Sequence, residues 1–428
     1  MADAKIIQAV KGMNDIVPAA AEPFLDTAVW QKIFGVAGEV MESFGFRRVW
    51  LPIVEETALF QRGIGTDTDI VGKEMYSFTD RGERSLTLRP EGTAGAVRAY
   101  VEHNLSRIDP IQRWWYAGPM FRAESPQKGR YRQFYQIGAE FLGVAEPAAD
   151  AELLWMLWTL CGRLGITDVT VRVNTVGDNE SRAAYRTLLR EYLSEHKAKL
   201  CEACDARLST NPLRVLDCKR PGCREVVANA PDMLTVMTAT AREHFEKTTS
   251  LLVALRVPFT RDPRLVRGLD YYTGTTFEFT TGALGSQDAI LGGGRYDSLV
   301  AELGGPPTPA VGFAAGVERL ALLVASQGVR AARPDLYLIP LSGAETLAFE
   351  LAAALRAQSG CRVEIGTGGR LKQQMKHADR LQARFALVLG EDELASKRGR
   401  VKNLESSTVD EVELTPAALL ARVSCSTT

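Results

Sequence analysis

The 428-residue chain is poor in histidine, with only His103, His196, His244 and His377, scattered along its length. None lies in an HExxH run or beside a candidate serine or cysteine nucleophile, so zinc-hydrolase and triad chemistry have no support. No GxxxxGK[ST] loop and no strand-borne GxGxxG occurs, so neither the P-loop nor the Rossmann route to nucleotide binding is indicated. No apolar run approaches a membrane span, and the opening MADAKIIQAVKGMNDIVP has no apolar centre of signal-peptide type. A cytoplasmic protein without membrane contact is the expectation. Net charge is nearly absent too: 51 Lys and Arg against 52 Asp and Glu leave −1. A polyanionic partner must therefore be met by local basic patches, because no overall field attracts it.

Seven cysteines, an odd number in so long a chain, do not describe a secreted disulfide framework. Four of them cluster: Cys201, Cys204, Cys218 and Cys223. A CxxC followed fourteen residues later by a second pair is compatible with a structural zinc knuckle. The second pair is separated by four residues, and no histidine lies nearby. Reduced structural thiols are therefore the simpler expectation, and no metal is assigned.

The length implies two or three domains, and 46% hydrophobic with 24% charged residues is ordinary for a globular protein. Helical spacing of Phe24, Ala28, Ile33, Ala37, Val40, Met41 and Phe44 predicts a helix over 21–44, stopped by Gly45. An extended run over 47–56 carries Pro52, which belongs at an edge or an interface because it removes a ladder donor. Two hairpins follow, 75–80 with 84–89 and 113–124 with 131–143, then a helix over 149–164 and a strand over 168–174. Residues 178–256 are helical, mixed in charge and bounded by β-like stretches, which reads as an insertion into a sheet domain spanning 1–330. Strands over 267–280, 289–291 and 310–315 complete that sheet, and 327–334 is a polar linker. In 333–428, strands over 336–341, 362–365 and 385–389 alternate with helices over 344–357 and 369–382. That alternation predicts a small α/β domain with a largely parallel sheet.

The second hairpin carries the densest chemistry. On its return strand Arg130, Arg132, Phe134, Gln136, Gly138 and Glu140 share one parity, so guanidinium, amide and carboxylate can project into one cleft. A solvated amphipathic face is the plainer alternative. Against it, Gln136 and Glu140 sit among apolar neighbours, where buried polar groups need partners. The glycine triplet Gly292–Gly294 is either a tight packed turn or a backbone that a ligand approaches closely.

Arg122 and Glu124 with the return strand resemble motif 2 of the class II aminoacyl-tRNA synthetases. Pro52 in VWLPIVEE resembles motif 1, and GFAAGVERL from Gly312 to Leu320 resembles motif 3. RGLDYY (Arg267–Tyr272) and GGGRYD (Gly292–Asp297) resemble the paired histidine-binding signatures of the histidyl-tRNA synthetase family. TLRPEGTAG, PQKGRYRQF and KGMNDI fit the same family, and the resemblance covers nearly the whole chain. It implies an α+β catalytic domain on a mostly antiparallel sheet, a helical insertion, a C-terminal α/β anticodon-binding domain and a homodimer meeting at motif 1. The ligands implied are L-histidine, ATP with its Mg2+, and tRNA(His).

Roles implied by the resemblance follow residue by residue. Arg122 holds the α-phosphate of ATP and Arg319 the γ-phosphate, with Arg130 beside them; guanidinium forks suit phosphate oxygens. Arg267 is a further cation at the reacting phosphate and carboxylate, and with Arg122 is catalytic; its plainer alternative is a salt bridge to Asp270 or another acid. Glu91, Thr93 and Gln136 form the amino-group side of the histidine pocket. Glu140, Tyr271 and Tyr272 form its imidazole side, closed by Tyr296. Gln127, Lys128 and Arg132 meet the tRNA acceptor end. Lys372, Lys376 and Arg380 recur along one helix face towards the anticodon stem, opposite a buried stripe of Leu371, Met375 and Ala378. Tyr135 and Ser125 depart from common bacterial histidine and arginine, so Ser125 is given no role. Two alternatives stand beside the charging enzyme. One is a non-charging, histidine-sensing regulatory paralogue. The other is a class II synthetase for proline, threonine or serine, against which both histidine signatures count.

Overall fold

The computed structural model describes residues 6–423 apart from 66, 67, 69, 128, 268–270, 286, 287 and 330. The chain divides into two compact units, Met1–Arg330 and Ala331–Thr428.

The first unit is built on an eight-stranded sheet: β1 (Arg47–Arg48), β2 (Gln112–Phe121), β3 (Gln133–Leu142), β4 (Thr170–Thr175), β5 (Thr260–Arg261), β6 (Thr275–Thr280), β7 (Ala289–Arg295) and β8 (Ala310–Gly316). Their spatial order is β1-β2-β3-β8-β7-β6-β4-β5. The six inner strands are antiparallel, and only the two-residue edges β1 and β5 run parallel to their neighbours. Period-two alternation decides which face is which. Ile137, Ala139 and Phe141 of β3 enter the main core with helices Thr27–Ser43, Pro147–Arg163, Ala239–Ala254 and Val317–Ala325. Gln136 and Glu140 consequently point to the opposite face, where the helices leave room for a site.

Helix Thr27–Ser43 forms because its apolar residues share one stripe and the Asp26 carboxylate caps it, accepting from the Ala28 N–H at 2.8 Å. Gly45, at φ +78°, supplies the left-handed residue that ends it. The extended run after it breaks around Pro52 into β1 and a strand Val54–Glu56, and Arg89 Nη1 donates to the carbonyls of Leu51 and Pro52 at 3.0 and 3.3 Å. Val54–Glu56 joins the expected first hairpin, Tyr76–Thr79 with Ser85–Leu88, in a separate three-stranded sheet.

Between β4 and β5 the described residues hold helices Asn179–Glu195, Glu202–Thr210 and Pro221–Ala228, gathered on a small core of their own. The last helix of the stretch, Ala239–Ala254, packs instead against Pro147–Arg163 in the main core.

In the second unit, Val363–Ile365, Leu336–Pro340 and Phe385–Leu389 are parallel neighbours, as the strand–helix alternation predicts. An antiparallel hairpin, Arg398–Asn403 with Val409–Glu413, extends the sheet and has no counterpart in the sequence reading. Its runs RGRVKN and VDEVE are mostly charged, so the apolar half of the alternation is thin. The predicted basic helix is Leu371–Arg380, with Lys372, Lys376 and Arg380 exposed. Its buried stripe needs correction: Leu371 is 42% exposed, and Gln374 takes the inner position with Ala378. The Gln374 amide nitrogen donates to the Gly369 and Pro340 carbonyls, while its buried Oε1 has no hydrogen-bond partner among the described residues.

Candidate active site

A cavity of about 390 Å³ opens on the face of the large sheet that carries Gln136, beside helix Thr93–Glu102. Its walls bring together ten of the predicted residues: Glu91, Thr93, Arg122, Arg130, Gln136, Arg267, Tyr271, Tyr272, Tyr296 and Arg319. They come from segments more than 200 residues apart, assembled by strand register. The face is therefore a pocket and not a solvated amphipathic surface.

Its cationic side rests on three fixed guanidinium groups. Arg122 donates through Nε to the Pro90 carbonyl at 3.0 Å and lies over the Phe134 ring at 5.1 Å. Arg319 donates to the carbonyls of Gly129 and Ala289 at 3.3 and 2.5 Å. Arg267 pairs with Glu278 at 2.6 Å. The predicted alternative partner Asp270 lies outside the described residues. Burial lowers the pKa of Arg122 and Arg319, but an arginine starting so high stays charged at any working pH.

The glycine triplet belongs to this cationic side, though it is not a turn. It lies inside β7, with Gly292 opposite Glu278 of β6. A Cβ on Gly292 would stand 2.6 Å from Arg267 Nη1, so the missing side chain makes the space in which that guanidinium lies. Arg295, from the same run, turns away and forms a buried ion pair with Asp150 at 2.5 Å.

The cavity is also lined by hydroxyls and acids. Glu91 accepts from the Thr93 and Ala94 N–H groups at 2.6 and 2.9 Å, capping helix Thr93–Glu102 while facing the cavity. Gln136 Oε1 is buried with no hydrogen-bond partner among the described residues. Glu140 corrects the sequence expectation. It is fully buried beneath the wall, where it accepts from Thr93 at 2.8 Å, from Tyr116 at 2.9 Å and from Tyr296. Tyr116 reaches it by lying over Gly92 and Gly138, whose absent Cβ atoms would stand 2.2 and 2.5 Å from its ring. Burial raises the pKa of Tyr116, Tyr271 and Tyr296 well above the usual phenol range, so all three keep their protons.

The chain as a whole matches known proteins. Residues 13–320 match the family model described as histidyl-tRNA synthetase, and 335–425 match the anticodon binding domain. The chain is 47% identical over 420 residues to the histidine–tRNA ligase of Geobacter metallireducens, covering 98% of this chain and 100% of that protein. Identity to the Anaeromyxobacter dehalogenans enzyme is 49% over 423 residues, covering 98% and 99%. The chain belongs to the histidyl-tRNA synthetase family. The fold agrees: the crystal structure of apo S. aureus histidyl-tRNA synthetase superposes with a TM-score of 0.78 at 33% identity, over 96% of this chain and 98% of that one. With full-length relatives of this kind and an anticodon-binding domain, it is a histidine–tRNA ligase, and a regulatory paralogue or another class II specificity is set aside.

The motif 2 loop of the synthetase is closed by paired backbone bonds between Gln127 and Arg130 at 3.0 and 2.8 Å. Arg130 leans on Glu124 at 3.5 Å, and the Arg132 N–H donates to the Gly12 carbonyl of KGMNDI at 2.8 Å. Lys128 lies outside the described residues. Three participants escaped the sequence reading as individuals: Glu278, Tyr116 and Glu318. Glu318 of motif 3 is buried and accepts from the Tyr135 N–H at 2.9 Å, fastening the helix after β8 to β3.

Burial pushes Glu318 to about 8, and Glu140 to about 8 despite its three hydroxyl donors. An acid raised in the folded state binds more protons folded than unfolded between its ordinary 4.5 and about 8. Its stabilisation is therefore complete below 4.5 and is lost as pH rises through about 8. The urea midpoint of the ligand-free synthetase is expected to fall between pH 5.5 and 8, with Glu140→Gln/Glu318→Gln flattening the slope. A wild-type midpoint that rises over this window would contradict the burial argument.

Proposed function

We propose that the cavity holds L-histidine and ATP side by side, with the histidine carboxylate facing the α-phosphate between Arg122 and Arg267. A carboxylate oxygen attacks the α-phosphorus, pyrophosphate leaves, and the terminal tRNA hydroxyl then attacks the acyl carbon and releases AMP. Arg122 and Arg267 carry the charge that builds on the α-phosphate, and Arg319 with Arg130 binds the outgoing pyrophosphate. Glu91, Thr93 and the unpaired Gln136 Oε1 accept from the ammonium. The observation that carries this reading is the gathering of fixed guanidiniums, a buried unpaired acceptor and hydroxyls around one cavity. A zwitterion with a polar ring satisfies both kinds of group.

Mg2+ arriving with ATP fits Glu74 and Glu124, which line the same cavity. It needs only one or two carboxylates besides phosphate oxygens and water, and it neutralises phosphate charge. Gln127, Lys128 and Arg132 on the motif 2 loop serve the acceptor end, and exposed Lys372, Lys376 and Arg380 the anticodon stem. A homodimer through motif 1 is supported by Trp50, 77% exposed, with Ile53 and Val54 also open beside Pro52. The synthetase acts in the cytoplasm, with its tRNA.

The imidazole end is tested through Glu140, which we assign as the acid behind Tyr296 and Thr93 that fixes the ring's orientation together with Tyr271 and Tyr272. In Glu140→Gln an NH2 replaces one acceptor oxygen, so one of the three hydroxyls loses its partner. Histidine binding at pH 8.5 is expected to weaken by about 1.5–3 kcal/mol, with ATP affinity unchanged. The gap should narrow below pH 8, where wild-type Glu140 itself becomes neutral. Wild-type histidine affinity at pH 8.5 would remove Glu140 from the support of the imidazole side.

A further inference from the structure

The four clustered cysteines take no part in the cavity chemistry, yet the fold brings all of them to one point. Their Sγ atoms lie within 4.8 Å of one another, with Cys201 and Cys218 at 3.9 Å. Four thiolates around one zinc, at a Zn–S length of about 2.3 Å, stand about 3.8 Å apart. A disulfide needs about 2.0 Å between two sulfurs and gives no reason for two pairs to converge.

We infer that Cys201, Cys204, Cys218 and Cys223 form a structural zinc site, independent of what the cavity binds. Cys201 precedes helix Glu202–Thr210, and Cys204 stands in its first turn, the two-residue spacing that lets both sulfurs face one ion. The wider gap of the second pair, which weighs against a knuckle in sequence, is taken up by the start of helix Pro221–Ala228, which carries Cys223 inward. Gly222 permits that close turn: a Cβ there would stand 2.8 Å from the Lys199 carbonyl. The Cys201 N–H donates to Cys223 Sγ at 3.2 Å, the outer-shell bond that steadies a thiolate ligand.

The site also answers a need of the fold. Cys204 and Cys223 are fully buried in a small core with Tyr185, Leu189, Val215 and Val226. A core of that size is commonly stapled by a metal. An all-sulfur tetrahedral set is soft and closed, which selects zinc and leaves no open position for catalysis. Between the two pairs lies the turn Pro212–Val215, whose Arg214 lines the active cavity. Zinc would hold that turn in place.

The test uses full-length enzyme purified in reducing, chelator-free buffer. Elemental analysis is expected to find one zinc per chain. Exchange for Co2+ is expected to give the visible ligand-field and sulfur-to-metal charge-transfer bands of a tetrahedral thiolate site. Cys218→Ser should lower bound metal by about tenfold or more, whereas Cys161→Ala, altering a buried thiol outside the cluster, should leave it unchanged. Metal-free wild type that gives no cobalt spectrum overturns the site, as does iron in place of zinc or metal retained in a folded Cys218→Ser chain. The cobalt spectrum is read on the wild-type chain, so a variant that fails to fold leaves the test intact.

Discussion

Arg267→Ala is expected to slow histidyl-adenylate formation by about a hundredfold or more, the scale for removing one preorganised donor to a developing negative charge. The arginine is held ready for that charge. Glu278 fixes Nη1 at 2.6 Å, and the bare backbone of Gly292 lets the guanidinium lie against β7. Such a group needs little reorganisation when charge builds on the phosphate. The loss should therefore appear in the rate of histidine-dependent ATP–pyrophosphate exchange and much less in the Michaelis constant for histidine. Arg267→Lys, which keeps a charge but loses the fork, should recover part of the rate. A raised Michaelis constant with an unchanged rate would make Arg267 a substrate anchor and not a transition-state group. Thermal unfolding of the variant distinguishes loss of chemistry from loss of fold, since the substitution leaves Glu278 without this partner.

Arg267 was legible in the sequence as a cation of RGLDYY, while the residue that aims it was not. Glu278 lies in TTFEFT, a run with no motif, and becomes a partner only because β6 and β7 pair Glu278 with Gly292. Tyr116 is similar, since it meets Glu140 across Gly138, its register partner on β3. Local periodicity carried the helices, the two hairpins and the face on which Gln136 and Glu140 project. Nonlocal register decided which polar groups meet, and no single sequence states a register. The glycines held the available signal: Gly92, Gly138, Gly292 and Gly312 each stand where a Cβ would strike a site side chain. Read as spaces for Tyr116, Arg267 and Glu140, they would have shown that these side chains cross the sheet face. The hairpin Arg398–Asn403 with Val409–Glu413 was missed for a different reason. It ends the sheet beyond Phe385–Leu389, and its mostly charged residues leave little hydrophobic alternation to detect.

Ending the chain at Ala332 is expected to preserve histidine-dependent pyrophosphate exchange while lowering tRNA charging by roughly a thousandfold or more. That is the low end of the margin by which specific nucleic-acid contacts exceed nonspecific ones. The division rests on two separate cores. Phe277, Phe279, Ile137 and Phe313 anchor the sheet of the first unit, whereas Leu338, Leu355, Leu387 and Leu419 anchor the second. Removing the second unit thus takes no residue from the first unit's core, and every described residue lining the active cavity lies before it. Adenylation needs only that cavity. Charging also needs the tRNA to be held, and with a net charge of −1 the chain has no general attraction to supply it. The exposed row of Lys372, Lys376 and Arg380 is therefore expected to bear much of the contact. Replacing these three by glutamine in the full chain should weaken tRNA binding and flatten its salt dependence, because fewer counterions are released. Circular dichroism must first show the truncated chain folded. Full charging by a folded truncation would detach tRNA recognition from the second unit, and an unchanged salt slope in the triple variant would remove the basic helix from the contact.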